Sequence, residues 1–367
     1  MSARARSLSV RLVVACTDRK SAPAAVTLRT VRHLPLAERL RAWAGLLWAR
    51  GAPDCLPVRD LYAGDHWAVA RRVSDAPPAG VRVELWVCSA GAGLLGLDDA
   101  VRPYSATFAA GSPDSVVSAD DADVRRGGEG AAARWWRGLG GLARRHRRGS
   151  PTTLAELAAC APGTPIAVAA SPRYVDALLP DLLEARGRLR SPDLLTVFTS
   201  GRARSGVLGA NVVVCDARLQ SVADGAESSL LGGALTTLNV RAAARALATA
   251  GSTGLRAPAV AQYFARLAAR QPAPRRYDRR RVEPAEVAAF VREALRRDPA
   301  ATHTHLLRAF RASGRAFEYT RFRGIFREVV ADTARDVTRG RAQGAAEGET
   351  PPSAVPPRTV LSSVAVA

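Results

Sequence analysis

The chain has 367 residues, 47% of them apolar, which is enough for about two domains with real cores and excludes both a disordered tail and a small disulfide scaffold. Lys and Arg outnumber Asp and Glu by 53 to 33, a formal charge of +20, so a polyanion heads the partner classes and nucleic acid heads the polyanions. Cys16, Cys55, Cys88, Cys160 and Cys215 are odd in number and contain no Cys-x-x-Cys pair, which argues against a disulfide framework or a zinc ribbon and suits a reducing cytoplasm. No run reaches the ~20 apolar residues of a membrane span, and no metal or cofactor is expected.

In chain order, Leu8 to Ala15 reads as a first strand rather than a leader, because Asp18-Arg19-Lys20 follows at once with no cleavage site. A helical pattern over Leu36 to Ala49 comes next, then a strand over Val81 to Val87 and a helix over Ala131 to Arg145. Pro165 to Ala170, Leu194 to Thr199 and Val212 to Cys215 are further strands, separated by a helix over Tyr174 to Glu184 and followed by one over Leu235 to Ala248. Short buried strands alternating with helices predict an α/β domain over residues 1–250, with a mostly parallel sheet and helices on both faces.

Residues 251–281 read as a helix and a basic linker ending in Arg279-Arg280-Arg281. Three helices are expected over 282–339: one from Glu283-Pro284 to Asp298-Pro299, one capped by Thr302, and one after Ser313-Gly314 that carries Arg321, Arg323 and Arg327. A tight Gly turn before an Arg-faced helix suits a helix-turn-helix DNA-binding module, and a plain three-helix bundle fits the same pattern. Residues 340–367 read as a disordered tail. His303 and His305 lie two apart, off the spacing that places two metal ligands on one helix face.

Every basic residue except Lys20 is Arg, which makes Lys20 a functional candidate or a single survivor of a coding bias. In open α/β sheets ligands bind beyond the carboxyl ends of the strands, so the polar residues just after each strand are the site candidates. These are Cys16, Thr17, Asp18 and Lys20; Ser89, Gly91 and Gly93; Ser171, Arg173 and Tyr174; and Ser200-Gly201. Gly91-Ala92-Gly93-Leu94-Leu95-Gly96 fits G-x-G-x-x-G, but Asp98-Asp99 and Arg102-Pro103 follow too closely for the turn to open a Rossmann helix, so the glycines are expected to let backbone approach some other ligand.

Cys16-Thr17-Asp18-Arg19-Lys20, Asp60-Leu61-Tyr62-Ala63-Gly64, Ser89-Ala90-Gly91-Ala92-Gly93-Leu94, Arg102-Pro103-Tyr104-Ser105 and Ala170-Ser171-Pro172-Arg173-Tyr174 occur in an order that resembles the YaaA-like family of peroxide-stress proteins. The blocks span roughly residues 10–180. The resemblance implies nucleic-acid binding by an α/β domain, with Lys20, Tyr62, Tyr104 and Tyr174 near a shared pocket. More distantly the architecture is similar to uracil-DNA-glycosylase-like and 7-deazaguanine-modification proteins, a likeness at the level of fold.

Chemistry on a base in duplex DNA requires flipping it out, stacking it, bonding its edge and holding the flanking phosphates. Tyr62 or Tyr104 can stack; Ser89, Ser105, Thr107 or Asn239 can bond; Lys20 can hold phosphate. Cleaving a glycosidic bond also requires a carboxylate, for which Asp18, Asp60 and Asp98 or Asp99 are the candidates, unless they are merely turn and cap residues. Arg134, Trp135 and Arg137, with Arg144 and Arg145, form either a basic strip that tracks a phosphate backbone or an amphipathic helix with its indoles in the core. The expectation is a DNA-directed enzyme acting on a nucleobase, foremost a DNA glycosylase for a modified or unusual base serving defence or repair, with RNA as a second possible substrate. A base-modifying enzyme of a 7-deazaguanine-type pathway and a non-catalytic DNA-binding stress protein are the alternatives.

Overall fold

The computed structural model describes residues 7–118, 121, 130–147, 149–200, 205–222, 230–273 and 278–347. The chain divides into two compact units, Met1–Pro274 and Arg275–Ala367.

The first unit opens with β1 (Leu8–Ala15), whose LSVRLVVA run is buried over its last six residues. Then come β2 (Val26–Thr27), α1 (Leu36–Leu47), β3 (Leu56–Pro57), α2 (Val58–Leu61) and α3 (Asp65–Asp75). The hairpin of β4 (Val81–Ser89) and β5 (Gly93–Gly96) follows, with the two-residue strands β6 (Ala100–Val101) and β7 (Tyr104–Ser105) beyond it. β2 pairs with β7 and β3 with β6. α4 (Ala131–His146) and α5 (Leu154–Cys160) lead to β8 (Ile166–Ala169), α6 (Pro172–Arg188), β9 (Leu195–Thr199) and β10 (Val212–Val214), and the unit closes with α7 (Leu238–Thr253) and α8 (Ala257–Ala269).

The central sheet has the order β10-β9-β8-β1-β4-β5, parallel throughout except for β5, which returns antiparallel along β4. This is an α/β fold with a mostly parallel sheet. Every residue of β8 and β9 is buried, because a central parallel strand is covered on both faces; β8 is wholly apolar, and β9 carries Thr196 and Thr199 within its buried run. β4 alternates Val and charged residues at its start, where Arg82 and Glu84 face solvent, and becomes wholly buried from Leu85 onward. The Arg11 side chain bonds Glu84 (3.1 Å), its register partner on β4. Phe264 and Ala268 of α8 lie in the same core, with the Phe264 ring edge-on to Phe198 at 6.0 Å, so the unit extends past residue 250, where the expected boundary fell.

The second unit contains β11 (Arg280–Arg281), α9 (Pro284–Arg297), α10 (His303–Ala312), β12 (Arg315–Ala316) and α11 (Tyr319–Glu347). Val287, Val291, Leu306, Leu307, Phe310, Phe322 and Val329 form its core. Thr302 caps α10 by accepting the His305 N–H, and His303 Nε2 lies 2.9 Å from the Tyr319 hydroxyl. The link from α10 to α11 is six residues, Ser313 to Glu318, with Gly314 at φ +77° and β12 paired to β11, so the tight turn expected there is absent. Arg315 packs its guanidinium over Phe310 (4.3 Å) and Phe290 (4.8 Å), a cation–π contact that spends this arginine on the core. α11 stays helical through Glu347, beyond the 340 boundary expected for the tail, whose later residues lie outside the described ones. Among the described residues no helix is long and apolar enough to cross a membrane.

Candidate functional site

The chain passes from β1 to β4 on one side and later to β8 on the other, so strand order reverses at β1. Ligands of open α/β sheets bind outside the carboxyl ends of the strands at such a switch point. The register sets these ends side by side: Ala15 pairs with Cys88, Val14 with Ala169, and Ala169 with Phe198. A cleft of about 450 Å³ opens there, lined by Cys16, Thr17 and Asp18 after β1, Gly64 to His66 at the start of α3, Ser171 and Tyr174 at the start of α6, and Thr237 and Asn239 at the start of α7. A second cleft of about 580 Å³ shares Ser171, Thr236 and Asn239 with the first and continues past the ends of β9 and β10 along Ser200, Val214, Asp216 and Leu235.

Three helices therefore begin at the first cleft, and the partial positive charge of their first turns favours a negative or electron-rich ligand group. The Cys16 Sγ lies 3.0 Å from the Tyr174 hydroxyl in its wall. The Asp65 carboxylate accepts from Arg241 Nη2 (2.9 Å) and from the Thr237 hydroxyl (3.2 Å), and the Arg241 bond holds it below the usual carboxylate range. Asp18 is exposed, and no hydrogen-bond partner of its side chain is found among the described residues. Burial pushes the His66 imidazole down to about 4, opposed by its bond to the Ala15 carbonyl, and its Nε2 is buried with no partner among the described residues.

The unfolded chain binds the His66 proton near pH 6.5 and the folded chain only near 4, so this contribution to stability is complete above 6.5 and declines as pH falls toward 4. The expected loss is up to about 3 kcal/mol across that window. Urea unfolding at pH 7, 5.5 and 4.5 should show a flatter pH dependence in His66→Gln than in the wild type, and identical profiles would contradict the burial of a neutral ring.

Behind the cleft sits a buried chain of hydroxyls. Tyr62 and Tyr104 share a hydrogen bond of 2.7 Å, Ser89 Oγ bonds Tyr104 and also accepts the Gly91 and Ala92 N–H groups, and burial raises all three phenols, Tyr174 included, well above their ordinary range. Lys20 closes this layer: its Nζ lies 4.5 Å from the Tyr104 ring centre and 5.9 Å from that of Tyr62, within reach of the Thr17 and Asp18 carbonyls at 3.4 and 3.5 Å. A compact ammonium suits that setting, which ties the loop after β1 to the aromatic pair.

Of the residues expected at the site, Cys16, Thr17, Asp18, Ser171, Tyr174 and Asn239 meet in the cleft wall. Tyr62 and Tyr104 are buried against each other and offer no face to a base. Gly91 is required by packing rather than by a ligand, since a Cβ there would lie 2.5 Å from Cε2 of Tyr104, and Gly93 (φ +78°) turns the β4–β5 hairpin. Asp60 is exposed on α2, where its carbonyl accepts the Ser21 hydroxyl (2.5 Å), and does not line the cleft. Asp98 is carried back toward the amino end of the sheet by β5 and pairs with Arg59; Asp99 accepts from Arg147 at 2.7 Å. Ser105 bonds Asp114 at 2.8 Å.

The basic strip divides as well. Trp135 is fully buried with its Nε1 on the Ala90 carbonyl (2.7 Å), Trp136 bonds Asp181 (2.8 Å), and Arg144 pairs with Glu156, so no indole of α4 is available to stack on a base. Arg134, Arg137 and Arg145 are on the outer face. Arg280 pairs with Glu286 (2.8 Å), Arg279 is half-buried, and Arg321, Arg323 and Arg327 are exposed on α11, with Arg321 over the Phe317 ring at 5.2 Å.

Asp65, His66, Thr236 and Arg241 were not foreseen. The first two directly follow the Asp60-to-Gly64 block, and Gly64 (φ +97°) followed by an acid is the local signal of a helix start. No family model matches the chain, and neither a curated protein nor a solved structure matches it.

Proposed function

We propose that the protein is a nucleic-acid-directed enzyme acting on a nucleobase, foremost a DNA glycosylase for a modified or unusual base, with the switch-point cleft as its reaction site. The observation that carries this reading is the meeting of an exposed carboxylate, Asp18, and an ion-paired one, Asp65, with polar edge-readers at three helix starts. Water oxygen would bond to the sugar C1′ while the bond from C1′ to the base nitrogen breaks and its electron pair leaves with the base. Asp18 would take the water proton and return it to the departing base, and the ionised Asp65 would favour the cationic sugar centre. The charge of +20 and the exposed Arg321, Arg323 and Arg327 support an arginine-rich helical module that supplies phosphate contacts to DNA. The order of the YaaA-like blocks supports the same reading.

Incubation with genomic DNAs of ordinary and hypermodified base content, followed by mass spectrometry for free bases and a gel assay for abasic sites, tests it. A released base is the expected result. Tight, salt-sensitive binding with no release from any DNA would overturn the enzyme and leave a binding protein.

A further inference from the structure

We infer that the two joined clefts accept a dinucleotide step of a strand: a phosphodiester at their junction, the reacting base on the Cys16–Tyr174 side, and its neighbour on the Val214–Leu235 side. The identity of the occupant rests on the nucleobase reading above; its division into three parts rests on the geometry. The two spaces, about 450 and 580 Å³, are each of ligand-pocket size, and they meet at Ser171, Thr236 and Asn239.

The junction is built for an anion. α6 (17 residues) and α7 (16 residues) both begin there, and Ser171, at the cap of α6, makes no side-chain cap bond, which leaves its hydroxyl and the first-turn amides of Arg173 and Tyr174 for another acceptor. Asn239 gives the independent sign of a ligand. It is 6% exposed and lines both clefts, and its Oδ1 accepts the Val240 N–H at 2.9 Å, so its Nδ2 is the group left over, with no partner found among the described residues. The residue is held almost wholly inside the protein while this donor stays open to the clefts, where an acceptor can reach it.

The flanking spaces differ in the way a reacting base and a passive neighbour would need. On one side stand Cys16, Asp18, Asp65, His66 and Tyr174, able to bond a base edge and act on its sugar. On the other, Val214 and Leu235 are each 54% exposed, an apolar surface for the face of a base of any sequence. The carboxylate on that side, Asp216, is occupied by the backbone N–H and the guanidinium of Arg218. None of the three shared residues is acidic.

The test is an NMR titration of the full chain with thymidine, thymidine 5′-monophosphate, the dinucleoside phosphate dTpdT, and its analogue with an abasic residue in place of the second nucleoside. We expect dTpdT to bind about ten-fold more tightly than the mononucleotide, and the abasic analogue to match the mononucleotide. Leu235→Ser should remove that advantage and leave mononucleotide binding unchanged. Asn239→Asp, which keeps the acceptor for Val240, should weaken every phosphate-bearing ligand about ten-fold relative to thymidine. Equal affinities for one and two nucleosides, indifference to both substitutions, or no measurable binding would overturn the inference. A ribodinucleotide, UpU, tells RNA from DNA as the source of the strand, and tighter binding than its mononucleotide supports the step in either case. Dinucleotide preference without base release from any DNA sinks the glycosylase and keeps the step; base release without that preference does the reverse.

Discussion

Trp135→Ala is expected to lower stability by about 3–5 kcal/mol, the usual cost of emptying a large aromatic site in a packed core. The indole is fully buried where α4 crosses the β4–β5 turn, and its N–H satisfies the Ala90 carbonyl at 2.7 Å. Its neighbour Trp136 donates to Asp181, whose carboxylate also accepts the Leu154 and Ala155 N–H groups at the start of α5, so α4, α5 and α6 are locked at one point. Trp135→Phe retains most of the packing and loses the hydrogen bond, for about 1–2 kcal/mol. Urea midpoints measure both values. DNA affinity at fixed salt should be unchanged in the folded Trp135→Phe protein; a marked loss would return this residue to the nucleic-acid surface.

Asp18→Asn is expected to reduce the rate of base release by about 10²–10⁴-fold, the range for removing a group that moves a proton in the transition state. DNA affinity should change little, because phosphate contacts supply most of it. Asp60→Asn is the matched control: it is also an exposed carboxylate near the start of the chain, but it lies on α2 outside the cleft, and its turnover should equal that of the wild type. Single-turnover release of base from the DNA that proves to be the substrate measures both. Equal losses in the two variants would move the reaction away from the Asp18 wall.

The sheet was legible because its central strands are short, mostly apolar and β-branched runs, and four of them carry polar residues at their carboxyl ends that the topology was bound to gather. Cys16, Thr17, Asp18, Ser171 and Tyr174 followed from that rule alone. Asp98 did not, because the glycines after Ser89 form a hairpin: Gly91 makes room for the Tyr104 ring, Gly93 supplies the positive φ, and β5 then carries the chain back down the sheet. A G-x-G-x-x-G string does not distinguish a turn that opens a helix from one that reverses a strand.

Of the two readings of α4, the basic strip with stacking indoles fails for Trp135 and the amphipathic helix with its indoles in the core holds. Helical phase places Ala131, Trp135, Leu139 and Ala143 on one buried stripe, with Arg134, Arg137 and Arg145 outside. α3 escaped notice because DHWAVARRVSD buries only Trp67, Val69 and Ala70, and α5 because 7 residues hold too few turns for periodicity to stand out, although Thr153 and Glu156 form a capping pair at its start. Missing α3 also meant missing Asp65 and His66. The link between α10 and α11 was read from Ser313-Gly314 as a tight turn, but the chain there spends further residues pairing Arg315 and Ala316 with β11.

Hydrogen–deuterium exchange of the full chain, with and without a saturating mixed-sequence single-stranded oligonucleotide, locates the ligand most directly. Protection should concentrate at residues 15–20, 64–67, 171–175 and 234–240, the four segments that converge on the cleft, with further protection along α11. Protection confined to α11 or to the outer face of α4, with those four segments unchanged, would contradict the assignment of the switch-point cleft as the site.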